Sequence, residues 1–480
     1  MMLLSKAAKV LNAKLPSNAS DVRFLAVSTD TRKIQPGDLY IALRGEYFDG
    51  ADFVAQAMQS GAVAAVVNQD GFEKLTTPQN TVFPILLVED TRLALGQLAA
   101  YWRRQFSIPV VAITGSNGKT TVKEMLAAIL RAAAGSEEAV LATKGNLNND
   151  IGMPLTLLQL SAQHRYAVIE MGMNHPGEID YLSRIASPQI ALINNASGAH
   201  LAGMGSVDAV AFAKGEIFAG LQHEGSAIIN ADDEYAPLWR SLAGVHSLLE
   251  FGLNSNADVT GQWYPLTRGQ RLVAQTPKGD FTADMHVPGE HNARNALAAT
   301  AAAIALNLPL ESILSGLEKF SGVAGRLQYK QARGGATVID DSYNANPASL
   351  EAAISVLAQT SGRRVLVLGD MGELGDNAAT FHAGIGATAH QSGIDKLYAL
   401  GELSLAAVHG FGSKALHFDS IEALQASLEN ELHTGTTVLV KGSRFMKMER
   451  IVKYLMTGEP GMVVASACNI PLTAHYSTKE

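Results

Sequence analysis

The chain has 480 residues, and at about 150 residues per domain that length predicts three domains. Its 37 Lys and Arg against 45 Asp and Glu leave a net charge of −8, and with 17% charged and 47% hydrophobic residues the composition is globular and not disordered. The acidic balance argues against a generic nucleic-acid binder while leaving room for a basic pocket that takes one phosphorylated substrate; the single cysteine, Cys468, excludes an internal disulfide and a cysteine-based zinc site and suits a reducing compartment.

Met1–Leu15 mixes apolar residues with three lysines and predicts an amphipathic first helix, not a signal peptide. No window reaches the roughly 18–20 apolar residues of a membrane span, the nearest being the alanine-rich Ala296–Leu306. A soluble, cytoplasmic monomer without membrane insertion is expected. Residues 1–85 read as a small unit of short strands (Phe24–Val27, Asp38–Leu43, Val63–Asn68) around a helix near Phe53–Ser60. From about Pro84 the rhythm strengthens, with Val110–Thr114, Tyr166–Met171, Ile190–Asn194 and Ala227–Asn230 as buried strands followed by turns and helices. A boundary is predicted in the Gly-containing stretch Ser321–Arg326, after which strands Ala336–Asp340, Val365–Gly369, Lys396–Leu400 and Thr437–Lys441 resemble a doubly wound sheet. The expected class is therefore α/β, with domains 1–85, 86–325 and 326–480. The tail after Gly458 shows no clear periodicity.

The strongest local signal follows the strand Val110–Thr114: Gly115-Ser116-Asn117-Gly118-Lys119-Thr120-Thr121, leading into a helical run. A strand, a glycine-rich turn and a helix start aim backbone N–H groups and the helix dipole at an anion. Lys119 supplies a point charge for phosphates, and the Thr120 hydroxyl suits Mg²⁺. The full-length phosphate-loop motif would place a glycine where Ile113 stands, so this is a shortened loop. A plain glycine turn is the competing reading.

Glu170 ends the next buried strand, where a carboxylate could complete oxygen coordination of Mg²⁺ with Thr120. His200 lies on the loop after the strand that follows. Each is weak alone, and their shared position after successive strands raises them. Lys214 sits on a predicted helix and by itself reads as a solvated lysine.

These residues, with Ala213-Lys214-Gly-Glu-Ile-Phe, Gly289-Glu-His-Asn292-x-x-Asn295 and Gly325-Arg326-Leu, resemble the Mur ligase family. The blocks Asn148–Pro154, Glu170–Gly177 and Asp340–Pro347 are similar to those of the member that joins D-Ala-D-Ala to UDP-MurNAc-tripeptide in peptidoglycan precursor synthesis. Ser28-Thr-Asp30-Thr-Arg32, with Asp49-Gly50, also looks like that family's UDP-binding region, and the similarity runs from about residue 20 to about 455.

The resemblance implies a three-domain Mur ligase architecture: a UDP-substrate domain, a central P-loop ATPase-like sheet, and a C-terminal Rossmann-like domain that closes on ATP and D-Ala-D-Ala. It implies ATP and Mg²⁺ as cofactors, with Lys119 and Thr120 on the γ-phosphate and metal and Glu170 and His200 completing the metal sites. Lys214 would be the family's carbamylated lysine, supporting a second Mg²⁺. Carbamylation needs the neutral amine, about one in a thousand for an ordinary lysine near pH 7.4, so a pocket that depresses its pKa is required. Asn295 would contact adenine, Asn292 stands beside it with helix capping as its alternative, Arg326 would clamp phosphates, and Asp341 would contact ribose. Ser28, Asp30, Arg32 and Asn149 are the candidates for the UDP-substrate, with turn formation the competing reading for Ser28 and Asp30. Asn344, Asn346 and the loop Gly369–Gly375 are the candidates for D-Ala-D-Ala. Two rival readings stand beside this one: a different amino-acid-adding or folylpolyglutamate-type ligase, and a nucleotide switch that hydrolyses ATP without ligating anything.

Overall fold

The computed structural model describes residues 1–14, 21–75, 83–198, 204–266 and 269–459. Met1–Val323 with Glu373–Gly375 form one compact unit, and Ala324–Gly372 with the chain from Asp376 onward form the other. The border between Val323 and Ala324 falls inside the stretch Ser321–Arg326.

The first unit contains two parallel sheets. A four-stranded sheet runs Val27–Ser28, Leu39–Ile41, Ala64–Val67, Ile85–Leu87, so its last strand crosses residue 85. The central six-stranded sheet runs Ser247–Phe251, Ser226–Asn230, Ile190–Ile193, Val110–Thr114, Tyr166–Glu170, Val140–Ala142, and every pairing is parallel. Its inner strands are nearly continuous apolar runs because both faces are covered. Val110 and Ala112 enter one core cluster with Ala167, Ile169, Ala191 and Ile193, while Val111 and Ile113 enter another with Val168, Ile190 and Leu192. The first of those clusters also holds Ile41, Val66 and Leu86 of the four-stranded sheet and Leu95 and Leu98 of helix Thr91–Arg103, so that helix joins the two sheets in one core.

Three antiparallel strands of this unit, Thr260–Pro265, Gln270–Gln275 and Phe281–Met285, carry no clear sequence signal. The first is polar and mostly accessible, and the second alternates buried and open positions but buries the polar Gln270. The amphipathic first helix is shorter than its pattern suggests, Leu4–Val10, because Met2–Leu3 pairs with Arg23–Phe24 instead. Among the described residues no helix is long and apolar enough to cross a membrane.

The second unit is a six-stranded sheet in the order Gln328–Gln331, Thr337–Asp341, Thr436–Lys441, Arg363–Gly369, Lys396–Leu400, Ala415–Phe418. All pairings are parallel except that of the edge strand Gln328–Gln331. Its core contains Val338, Val365, Val367, Tyr398, Val438 and Val440.

Candidate active site at the strand ends

In the central sheet the earliest strand, Val110–Thr114, lies between two later ones, Ile190–Ile193 and Tyr166–Glu170. The chain that leaves it therefore enters the crevice where strand order reverses, the usual place for a ligand in such sheets. Gly118, at φ +76°, precedes helix Lys119–Ala134, whose first turn carries no side-chain cap. A Cβ at Gly118 would collide with Asn295 Oδ1 and stand 2.5 Å from Asn194 Nδ2. Glycine is required there by both conformation and space.

The loop is braced from the next strand end. Ser116 N donates to Asn195 O at 2.9 Å, Asn117 N donates to Asn195 Oδ1 at 2.8 Å, and Asn117 Nδ2 donates to Ser197 Oγ at 3.0 Å. Asn194 Nδ2 donates to Asn117 O and to Asn295 Oδ1, both at 2.9 Å. Asn194 Oδ1 is buried and finds no partner among the described residues. Asn194 and Asn195 directly follow strand Ile190–Ile193, and the sequence expectation for the segment after that strand named only His200. Two adjacent amides at the end of a buried strand were the available signal.

Lys119 Nζ donates to Gly115 O at 2.6 Å and Ser116 O at 3.2 Å, so its ammonium sits over the loop. The Thr120 hydroxyl donates to Glu170 Oε2 at 2.9 Å, and Asn148 Nδ2 donates to Glu170 Oε1 at 2.8 Å. Glu170 is only 2% exposed, and the buried Lys123 ammonium lies 4.0 Å from its Oε2 while donating to Thr143 O. Lys123, one turn after Lys119 on the same helix, was missed because a lysine at that spacing reads as solvated. Thr121 is buried in that helix.

Lys214 is buried at the end of helix Val207–Gly215. Burial, with the Lys119 charge acting on it, pushes its ammonium well below the ordinary lysine range. Among the described residues no carboxylate pairs with it. A buried amine with a lowered pKa is the condition that carbamylation demands. His200 lies outside the described residues.

In the small N-terminal sheet the Ser28 hydroxyl donates to Asp30 O at 3.0 Å and accepts from Asp30 N at 3.2 Å, which closes a turn. Arg32 forks onto Asp30 with Nε at 2.8 Å and Nη2 at 2.9 Å, and this hydrogen bonding holds the Asp30 carboxyl below its usual range. The Arg32 side chain is 70% exposed. Asn149 accepts from Gly152 N at 2.8 Å at the start of helix Gly152–Leu157.

Asn292 and Asn295 lie inside helix Glu290–Ala305, which begins earlier than the predicted Asn295 because Gly289, at φ +95°, caps it. Asn292 Nδ2 donates to Pro288 O at 2.8 Å, and Asn295 Nδ2 donates to Asn292 Oδ1 at 3.3 Å. Both side chains are buried, and Asn295 is the one that meets the loop, through Asn194 and at Gly118.

In the second unit Asp341 ends strand Thr337–Asp341 and accepts from Lys441 Nζ at 2.5 Å and Leu327 N at 3.2 Å. Burial raises the Asp341 pKa and lowers that of Lys441. Arg326 stands 4.4 Å from the Tyr343 ring centroid, a cation–π contact. Asn344 Oδ1 accepts from Ala345 N at 2.9 Å, and Asn346 caps helix Pro347–Ala358 in a reciprocal capping box with Ser349. In the loop after strand Arg363–Gly369, Asp370 accepts from Ser404 N at 2.7 Å and Met371 N donates to His382 Nε2 at 2.9 Å.

Three Mur ligase family models match the chain: the catalytic domain over 24–103, the middle domain over 113–303 and the glutamate ligase domain over 325–444. The UDP-N-acetylmuramoyl-tripeptide–D-alanyl-D-alanine ligase of Escherichia coli is 43% identical over 458 residues, covering 94% of this chain and 98% of that relative. The enzyme of the same name from Bacillus subtilis is 36% identical over 90% of this chain and 93% of its own. A crystal structure of MurF from Acinetobacter baumannii superimposes with a TM-score of 0.86 at 37% identity, covering 94% of this chain and 98% of that one. MurF ligase from Thermotoga maritima in complex with ADP superimposes at 0.79 with 26% identity, covering 91% and 98%. The α/β sheets and the three matched regions are the three-domain Mur ligase architecture. The chain belongs to the Mur ligase family, in the branch of the UDP-N-acetylmuramoyl-tripeptide–D-alanyl-D-alanine ligases.

Proposed function

We propose that the protein joins D-alanyl-D-alanine to UDP-N-acetylmuramoyl-tripeptide at the expense of ATP, forming the pentapeptide precursor, ADP and phosphate. The observation that carries this reading is the meeting of Lys119, Thr120 and Glu170 at one strand-end crevice, with buried Lys214 near enough to feel the Lys119 charge, in a chain 43% identical to a ligase of that name over nearly its whole length. A carboxylate is a poor electrophile at neutral pH, so the tripeptide's terminal carboxylate must first become an acyl phosphate. The dipeptide amine then attacks the acyl carbon through a tetrahedral intermediate and expels phosphate.

Each step gathers negative charge, and the residues present answer it. The uncapped start of helix Lys119–Ala134 offers its first-turn N–H groups to the triphosphate, while those of Ser116 and Asn117 are held by Asn195. Lys119 places its ammonium where charge passes to the acceptor oxygen. Thr120 and Glu170 are all-oxygen donors in mutual contact, which fits a hard divalent cation. Mg²⁺ held there supplies charge neutralisation on phosphate oxygens. In its neutral form, which the lowered pKa favours, the Lys214 amine can add CO₂, forming an N–C bond and releasing one proton, and the resulting carbamate would be a second anionic oxygen ligand. Asn295, with Asn292 beside it, is proposed for adenine, and His200 is proposed as a further metal ligand. Arg326 and Asp341 are proposed for the phosphates and the ribose, Asn344 and Asn346 for the dipeptide, and Ser28, Asp30, Arg32 and Asn149 for the UDP-substrate. The chemistry belongs to the cytoplasmic stage of cell-wall synthesis.

The test is phosphate release from ATP with UDP-MurNAc-tripeptide, with and without D-Ala-D-Ala, while the nucleotide product is weighed by mass spectrometry. Release that needs the dipeptide, with a product heavier by the dipeptide less water, supports the reading. Equal ATP consumption without the dipeptide leaves a nucleotide site and removes the ligase.

A further inference from the structure

In the second compact unit the chain leaving strand Thr436–Lys441 runs Lys441-Gly442-Ser443-Arg444-Phe445, and its side chains divide sharply. Lys441 is 1% exposed and donates to Asp341 Oδ2 and to Asn344 O. Ser443 is also buried: its hydroxyl donates to Ala345 O at 3.2 Å and accepts from Gly372 N at 2.8 Å. Ser443 N donates to Asp370 O at 2.9 Å. These two residues bind the loop Ser342–Asn346 to the loop Asp370–Gly372.

Arg444 and Phe445 point the other way. The Arg444 side chain is 52% exposed and Phe445 is 60% exposed. The Arg444 guanidinium stands 5.5 Å from the Tyr343 ring centroid, and its main-chain N–H donates to Asn344 Oδ1 at 3.3 Å. Its ionic partner, Glu449 at 2.9 Å, is itself 44% exposed, so water already competes for that pair. The Phe445 ring lies against the second loop so closely that a Cβ on Gly372 would be 2.9 Å from its Cε1. A planar, multiply donating cation and an open phenyl ring thus sit side by side where the two loops meet.

An incoming D-alanyl dipeptide loses its amine to the new bond and keeps one charged group, the terminal carboxylate. Its only side chains are methyl groups. A receptor for it needs a fork of N–H donors and a small apolar surface, and the buried, doubly bonded Lys441 is not available for the first task. We propose that Arg444 takes the terminal carboxylate of D-alanyl-D-alanine and that Phe445 packs against its methyl groups, which makes this pair the specificity-determining residues for the acceptor. The inference rests on the ligase reading above. It assigns Tyr343 a positioning part, since its ring carries both Arg326 and Arg444.

The experiment compares D-Ala-D-Ala with D-alanyl-D-alaninamide as acceptors for the full-length wild type and for R444Q, R444K and F445A. Loss of a charge-assisted pair predicts that R444Q raises KM for D-Ala-D-Ala by about 10- to 100-fold and leaves KM for ATP within about two-fold. The acid-to-amide ratio of kcat/KM, expected to exceed roughly ten in the wild type, falls close to one in R444Q and is partly restored in R444K, which keeps the charge without the fork. F445A narrows the preference for D-Ala-D-Ala over D-alanyl-glycine. A wild-type ratio near one, or an R444Q variant that keeps the wild-type ratio, overturns the proposal, because general damage to the fold lowers both acceptors alike. Absence of product from the wild type with every acceptor fails the ligase reading itself.

Discussion

Asn194 and Asn295, separated by 101 positions in the chain, meet beneath the phosphate loop with the Asn194 amide 2.9 Å from Asn295 Oδ1. The same Asn194 amide reaches Asn117 O, so one buried side chain links a strand end, the loop and helix Glu290–Ala305. Gly118 rests directly on this pair. Gly118→Ala should therefore cost about 1–3 kcal/mol of stability through strain and crowding and should weaken ATP binding by at least about ten-fold. Gly135, at φ +69° with open space where a methyl group would stand, is the control: Gly135→Ala should show a stability cost of about 1–2 kcal/mol with KM for ATP unchanged. Thermal melts and ATP saturation curves separate the two. A Gly118→Ala enzyme with ordinary ATP affinity would contradict the close packing.

Lys119 carries the charge that crosses the loop, and its present acceptors, Gly115 O and Ser116 O, are main-chain carbonyls that any residue would supply. Lys119→Ala should fold normally and lose at least about 100-fold in kcat. Near-normal turnover would remove the loop from the chemistry.

Lys214 makes two linked predictions. Lys214→Ala should be inactive and partly rescued by a short carboxylic acid in solution, which replaces the anion of a carbamate. Full activity without rescue would return Lys214 to a structural part. The second concerns pH. The folded-state pKa lies well below the ordinary 10.5. Between those two values the unfolded chain holds a proton that the folded chain lacks, so stability increases with pH through that window and is lost as pH falls. In CO₂-free buffer the stability of the wild type minus that of Lys214→Met should rise with pH by up to about 1.4 kcal/mol per unit between the folded-state pKa and 10.5, and level off as pH passes 10.5. A flat difference would mean that the amine stays protonated.

Arg32 is exposed and forked onto Asp30, a surface pair worth about 0–1 kcal/mol to stability. Arg32→Ala should leave the melting temperature nearly unchanged and raise KM for the UDP-substrate more than KM for ATP. An effect confined to ATP would take the N-terminal sheet out of substrate binding.

Much of the framework was readable in the chain itself. Val110–Thr114, Tyr166–Glu170, Ile190–Ile193 and Ser226–Asn230 are short apolar runs bounded by turn residues, and such runs announce buried parallel strands wherever they occur. The phosphate loop was equally legible, because a strand, two glycines, Lys119 and Thr120 form one continuous segment whose geometry is local. The half-exposed strands Thr260–Pro265 and Gln270–Gln275 were not, since the first brings Trp263 to the core among exposed neighbours and the second carries polar residues on both faces.

What only the tertiary structure decided is how distant segments share space. That Asn194 bears on Asn295, that Lys441 reaches Asp341 and that Phe445 covers Gly372 all depend on strand order, and no local period encodes it. The same holds for charge: Lys214 sits on a helix whose sequence reads as solvated, and its pKa is pushed well below the ordinary lysine value because surrounding elements exclude water and Lys119 acts on it. Sequence determines which groups can do the chemistry, through residue type and local geometry. Burial and proximity, which set their protonation and their partners, arise only when the chain closes on itself.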